Sequence, residues 1–473
     1  MSDVNVNNRI TKKGYIIDKK NYTSDQIGKI KNDLTMQPKS FSTLGTVAKF
    51  PIFRESSSKL FLPIKYGIKE FGQVLPENYK IGSGKNIDFN CRIELRDYQK
   101  EAYAITLKAL RATKGGVLSV PCSFGKTIMS IKAIHAVKKK AIIVVDRLNI
   151  LNQWWEEIEA WTDAKVGIIQ GKKLDIAGKD IVLAMIHTIS MKDLPPDTFA
   201  EFGIAVYDEI HCMAAETFSK AFPVVCTKYN IGLSATVERK DGLSKVFKSF
   251  IGDVYHTSTM SVKNKKTIVN VVKYSIEDPN GLTKHINLSF GKQTANTAAM
   301  ITNMAANKVR TNVILSYIKI LAADPERQIL VLSDRKQHLR DMHDHLSKAG
   351  VSCGLYVGNM PQSHLDLTCK KQVILGIYNL CQKAFNLKKL NTLIITTPRA
   401  EIQQIEGRIL RKEHDINPII LDMVDWWSHT FKNQWRTRLG YFKSRDYFIH
   451  EINLGTLPEI NNLPLLKTDW LCN

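Results

Sequence analysis

Short apolar runs, separated by stretches long enough for helices, set the rhythm of the chain from about Leu95 onward. The first series is Val117–Val120, Ala141–Val145, Val166–Ile169, Ile181–Ala184, Ile204–Tyr207 and Ile231–Leu233. The second is Ile329–Leu332, Cys353–Val357, Val373–Ile377, Leu393–Thr396 and Ile419–Met423. Runs without polar alternation are strands buried on both faces, and such strands alternate with helices in parallel α/β sheets. Two series predict a duplicated α/β fold in place of a short-period repeat. A helix with apolar positions Tyr98, Ala102, Ile105 and Leu110 leads into the first series and ends at Gly115-Gly116.

The remaining segments read differently. Residues 1–90 form a small α+β accessory domain, in which apolar runs flanking Glu55-Ser56-Ser57-Ser58 predict a β-hairpin. Residues 91–256 make the first α/β domain. Residues 257–300 are a linker and the start of the second domain, with a strand at Ile268–Val272. The second domain runs over 301–445 and a tail over 446–473. The mix of aromatic and basic residues from Trp426 to Tyr447 reads as a terminal helix packed through Trp427, Phe431 and Trp435. A base-stacking surface is the alternative.

Charge changes the picture. At pH 7 the formal net charge is +22, so counterion release favours nucleic acid, although scattered surface lysines give the same sum. Eight cysteines contain no Cys-x-x-Cys pair, which excludes a zinc ribbon and a small disulfide framework. Free thiols predict a reducing compartment: cytoplasm, nucleus or virion. The N-terminus has no apolar signal-peptide core, and no apolar run reaches membrane-span length. A monomer without membrane contact is expected.

The chemistry lies at the strand ends. Val117 to Thr127 reads as strand, tight loop and helix start, the context of a phosphate-binding loop. Backbone N–H groups at the helix N-terminus would surround phosphates. Lys126 would neutralise their charge, and the Thr127 hydroxyl would ligate Mg²⁺. Val120 stands where such loops usually begin with glycine. Asp208-Glu209-Ile210-His211 directly follows an apolar strand. Asp208 suits a metal held partly through water. Glu209 suits orientation or deprotonation of an attacking water. Ser234-Ala235-Thr236 ends the next strand, as a coupling element or an ordinary cap. Gln404 to Arg411 places Arg408 and Arg411 on one helix face, either aimed at a γ-phosphoryl group or simply solvated.

In this order the motifs resemble the superfamily 2 helicases, and most closely their XPB-like branch, including homologues in phages and large DNA viruses. The likeness covers roughly 95–440 and rests on long matches at Leu95–Gln99, Pro121–Thr127, Val206–Phe218, Gly232–Gly242 and Gln404–Arg411. It implies two tandem RecA-like domains and an ATP- and Mg²⁺-dependent motor on DNA, with RNA as the alternative track. A nucleic-acid-binding scaffold with impaired hydrolysis is the remaining alternative. Transcription or replication machinery are the partners implied.

By residue, the resemblance assigns Gln99 to the adenine edge and Pro121, Cys122, Ser123, Phe124, Gly125, Lys126 and Thr127 to the nucleotide. It gives Asp208 and Thr127 to Mg²⁺ and Glu209 to water activation. His211, Ser234, Thr236 and Gln404 take coupling roles, and Arg408 and Arg411 go to the γ-phosphate. Arg147 and Thr188, with Ser333 and Asp334, fall where the family grips the strand backbone. Three departures stand out: Asp146 for the usual Pro, Gln382–Asn386 in place of the usual motif V, and Lys240 within Arg239-Lys240-Asp241.

Overall fold

The computed structural model describes residues 7–38, 48–121, 124–195, 197–235, 241–258, 266–277, 282–287, 293–384, 387, 389–403, 405–406, 414–457 and 463–469. It divides into two compact units, Met1–Met260 and Ser261–Asn473.

In the first unit every apolar run of the first series becomes a strand of one eight-stranded sheet. The order is Lys173–Asp175, Val166–Gln170, Ile181–Met185, Ala141–Val145, Ile204–Tyr207, Tyr229–Ser234, Gly115–Ser119, Val254–Thr257. All pair in parallel except the edge strand Lys173–Asp175, which runs antiparallel to Val166–Gln170. Ala141–Val145 and Ile204–Tyr207 are buried throughout, which is why neither alternates in polarity.

The N-terminal residues add an antiparallel sheet, Arg9–Thr11, Gly14–Asp18, Lys59–Leu62, Arg54–Glu55. Its last two strands form the expected hairpin, closed by Ser56 N–H on the Lys59 carbonyl at 2.9 Å. Its apolar side chains Ile10, Tyr15, Leu60 and Leu62 share one hydrophobic cluster with Val144, Tyr207, Phe222 and Phe247 of the parallel sheet and its helices. Polar ties add to this packing: Lys65 donates to the Thr113 carbonyl, and Lys245 pairs with Asp33. Burial pulls the Lys65 ammonium down to about 8. The accessory sheet therefore packs on one face of the first unit's parallel sheet.

The second unit carries a seven-stranded parallel sheet ordered Cys353–Tyr356, Val373–Ile377, Gln328–Ser333, Leu390–Ile395, Ile419–Asp425, Ile268–Ser275, Phe448–Thr456. The strand from the joint, Ile268–Ser275, is thus interior to the sheet, and the stretch after 446 supplies its edge. The protein is α/β with two RecA-like domains. Helix His429–Ser444 buries Phe431 and Trp435, and Trp427, in the turn before it, is half-buried, as the packing reading of this stretch expects. Arg438 of the same helix forms a two-pronged buried ion pair with Asp422, both bonds at 2.8 Å. Among the described residues, no helix is long and apolar enough to cross a membrane, and Cys91, Cys212, Cys226, Cys353, Cys369 and Cys381 are free thiols.

Candidate active site

Three neighbouring strands of the first unit deliver the candidate residues at their C-terminal ends, where open α/β sheets bind ligands. Ile204–Tyr207 leads to Asp208, Tyr229–Ser234 ends on Ser234, and Gly115–Ser119 leads into the loop before Lys126. Gly125 sits at φ 91°, ψ 36°, and the helix Lys126–Val137 begins at the next residue. A Cβ at Gly125 would lie 2.1 Å from Gln99 Nε2, so the position needs glycine for both conformation and space.

Gln99 is buried with both ends of its amide on main chain. Its Oε1 accepts from Arg96 N–H at 2.9 Å, and its Nε2 donates to the Phe124 carbonyl at 2.7 Å. The residue assigned to adenine thereby also ties a helix N-terminus to the phosphate loop. Phe124 is buried edge-on against Tyr98, their centroids 5.1 Å apart. Pro121 and Thr127 are half-buried on either side of the loop. Cys122, Ser123 and Thr236 lie outside the described residues, as do Gln404, Arg408 and Arg411 and the side chains of 382–386.

Asp208 is the most perturbed of these groups. Its Oδ2 accepts from Trp154 Nε1–H at 2.8 Å and its Oδ1 from Glu209 N–H at 2.9 Å. Desolvation, reinforced by the Glu209 charge, pushes the carboxyl up to about 6, although the Lys126 ammonium and the two N–H donors pull the other way. Two acids beside one lysine in a desolvated site leave negative charge to be neutralised, which suits a divalent cation. Among the described residues no cluster of three or more His, Cys, Asp or Glu could hold a metal by itself. Mg²⁺ takes one or two carboxylates and completes its shell with water and phosphate. Asp208, with Thr127 at the helix start, fits such an ion.

Glu209 adopts the left-handed conformation, φ 46° and ψ 50°, unusual for a residue with a side chain and typical of functional sites. Its Oε2 is buried and, among the described residues, makes no hydrogen bond of good geometry, with His211 Nδ1 3.3 Å away. The same Nδ1 lies 3.0 Å from Ser234 Oγ. Glu209, His211 and the strand end at Ser234 are thus connected in one chain of contacts.

The candidate strand-contact residues are satisfied within their own units. Arg147 occupies the N-cap position of helix Leu148–Trp161 without a side-chain capping bond, and pairs through Nε with Asp146 Oδ2 at 2.9 Å. Thr188 is buried, its hydroxyl accepting from Gly171 N–H at 2.9 Å. In the second unit Ser333 is fully buried, with Oγ 3.2 Å from His338 Nδ1. Asp334 pairs with Arg399 at 3.3 Å, and its carboxyl is raised by burial. Trp154 lies seven residues after Arg147 on helix Leu148–Trp161, and its bond to Asp208 has no signature in the sequence beyond a tryptophan on the inner stripe of that helix.

Comparison with known proteins bears on the family and the fold. Residues 92–239 match the family model described as type III restriction enzyme, res subunit. Protein L396 of Acanthamoeba polyphaga mimivirus, whose name proposes an ATP-dependent RNA helicase, is 30% identical over 459 residues, covering 94% of this chain and 87% of that protein. The DNA 3'-5' translocase XPB2 of Sulfurisphaera tokodaii is 30% identical over 187 residues, 39% of this chain and 40% of that protein. The solved structure of S. cerevisiae Dbp5 bound to RNA and ADP BeF3 aligns with TM-score 0.50 at 11% identity, covering 75% of this chain and 89% of that one, a likeness of fold.

Proposed function

Because the chain belongs to the superfamily 2 helicases, by its identity with the mimivirus protein over nearly its whole length, we propose that it is an ATP-dependent DNA helicase or translocase whose ATPase is stimulated by nucleic acid. The carrying observation is the juxtaposition of Lys126, Asp208, Glu209 and His211 at the carboxyl edge of one parallel sheet.

In this reading the N-terminus of helix Lys126–Val137 and the Lys126 ammonium bind the β- and γ-phosphates. Asp208 and Thr127 hold Mg²⁺, which when bound supplies charge neutralisation at those phosphates. Glu209 Oε2 orients the attacking water and accepts its proton. Among the described residues that oxygen has no hydrogen-bond donor of good geometry, and the residue stands in the αL conformation directly after the strand. His211 relays the state of Glu209 to Ser234. Arg408 and Arg411 are assigned to the γ-phosphoryl charge, and the net charge of +22 supplies the grip on a polyanion.

A second reading, an RNA-directed motor, is favoured by the name of the mimivirus relative, and the XPB2 relation favours DNA. Backbone contacts discriminate the two poorly. The test is steady-state ATPase with single-stranded DNA, duplex DNA, RNA or no nucleic acid, beside Lys126→Ala and Glu209→Gln. DNA-stimulated turnover, lost in both variants while nucleic-acid binding persists, is expected. Greater stimulation by RNA selects the second reading, and normal turnover in Lys126→Ala refutes the ATPase assignment.

A further inference from the structure

Trp154 lies on helix Leu148–Trp161, the helix that follows strand Ala141–Val145, next in the sheet to the strand bearing Asp208. Its side chain is 1% exposed, and its one polar atom is spent on Asp208 Oδ2 at 2.8 Å. A buried indole N–H needs an acceptor, and a backbone carbonyl would serve a purely structural tryptophan. Here the acceptor is the carboxylate that the proposed chemistry requires.

The geometry of that carboxylate is closed from two directions. A carboxylate offers about four lone-pair directions. Trp154 takes one on Oδ2, and Glu209 N–H takes one on Oδ1. Among the described residues, one direction on each oxygen is left. Tryptophan suits this task because it donates without carrying charge: a lysine or arginine there would compete with a cation for the same carboxylate. Packed in the core between sheet and helix, the ring cannot swing away.

We infer that Trp154 is a positioning residue that acts through Asp208, fixing the plane of its carboxylate so that the remaining lone pairs meet a magnesium ion or its bound waters. The inference rests on reading Asp208 as the metal-holding residue. Partners in this outer position typically govern metal affinity or activity by about ten- to a hundredfold.

The test replaces Trp154 with Phe and, in parallel, with β-(3-benzothienyl)alanine, which keeps the bicyclic shape but lacks the donor. Binding of a fluorescent ADP analogue to the full chain is titrated with MgCl₂ and repeated in EDTA, alongside turnover. The Mg²⁺ concentration for half-maximal tightening should rise by about ten- to a hundredfold. Metal-free affinity of the benzothienyl protein should stay at the wild-type value, and its thermal midpoint should fall by no more than a few degrees, the cost of one lost hydrogen bond to Asp208. In an Asp208→Asn background, which itself abolishes the Mg²⁺ response, the Trp154 change should add nothing. An unshifted Mg²⁺ response in the benzothienyl protein, with Asp208→Asn still abolishing it, overturns the positioning role. A wild-type Mg²⁺ response in Asp208→Asn instead overturns the metal-holding reading, and this inference with it.

Discussion

Lowering the pH should destabilise the second unit through one buried histidine, His338. It is 2% exposed, with Nε2 3.3 Å from Thr311 Oγ1 and Nδ1 3.2 Å from Ser333 Oγ, and the buried Arg310 guanidinium is close enough to act on it electrostatically. Burial first, and the Arg310 charge second, press its pKa down to about 3. The unfolded chain, with a histidine near 6.5, therefore binds the proton that the folded chain refuses. Stability from this group is complete above about pH 6.5 and is lost as pH falls from there toward 3. At pH 5 the loss is about 2 kcal/mol, at 1.36 kcal/mol for each of about 1.5 pH units. That figure depends on the unfolded value alone as long as the folded value lies well below 5. For a unit of this size it corresponds to roughly 4–8 °C in Tm. Differential scanning calorimetry at pH 7.5 and 5.0 on the full chain and on His338→Gln isolates the effect, because the carboxylates titrate alike in both. The wild-type Tm of the second unit should fall by that much more than the variant's. Equal falls would refute the buried neutral histidine.

Other perturbations follow from the same structure. Arg438→Met leaves the Asp422 carboxylate buried without its two-pronged partner and should cost about 3–5 kcal/mol in urea denaturation, most of it recovered when Asp422→Leu is added. Gly125→Ala forces a side chain into φ 91° and against Gln99 Nε2. It should weaken binding of a fluorescent ADP analogue by at least about tenfold, through roughly 1–2 kcal/mol of backbone strain plus displacement of the Gln99 amide.

The sheet was legible because strands buried on both faces leave uninterrupted apolar runs, and every run read in both series is a strand. The strands that escaped are edges. Val254–Thr257 is half-exposed, and Phe448–Thr456 alternates with many exposed positions. An edge strand can carry polar residues, so hydrophobic pattern alone does not separate it from a loop or tail. The accessory sheet posed a different problem. Its hairpin was readable from turn residues, but a cluster joining Leu60 and Tyr15 to Phe247 depends on partners about 190 to 230 positions away in the sequence.

At the site, the legible residues were those whose chemistry requires a local arrangement: a lysine opening a helix after glycine, acids directly after a buried strand. What was not legible is how their polar atoms are shared. Gln99 looked like a base reader and is bonded at both ends to main chain. Ser333 and Thr188 looked like strand contacts and are buried in bonds of their own units. Trp154, on the helix that follows Arg147, donates to Asp208. A buried polar atom must find a partner, because leaving it unmade costs about 1–3 kcal/mol. Which partner it finds depends on the three-dimensional neighbours, and no spacing rule encodes that choice. The candidate acids illustrate the consequence. Asp208 was identifiable from its position after the strand, but the direction in which its carboxylate faces is set by an indole 54 residues earlier in the chain.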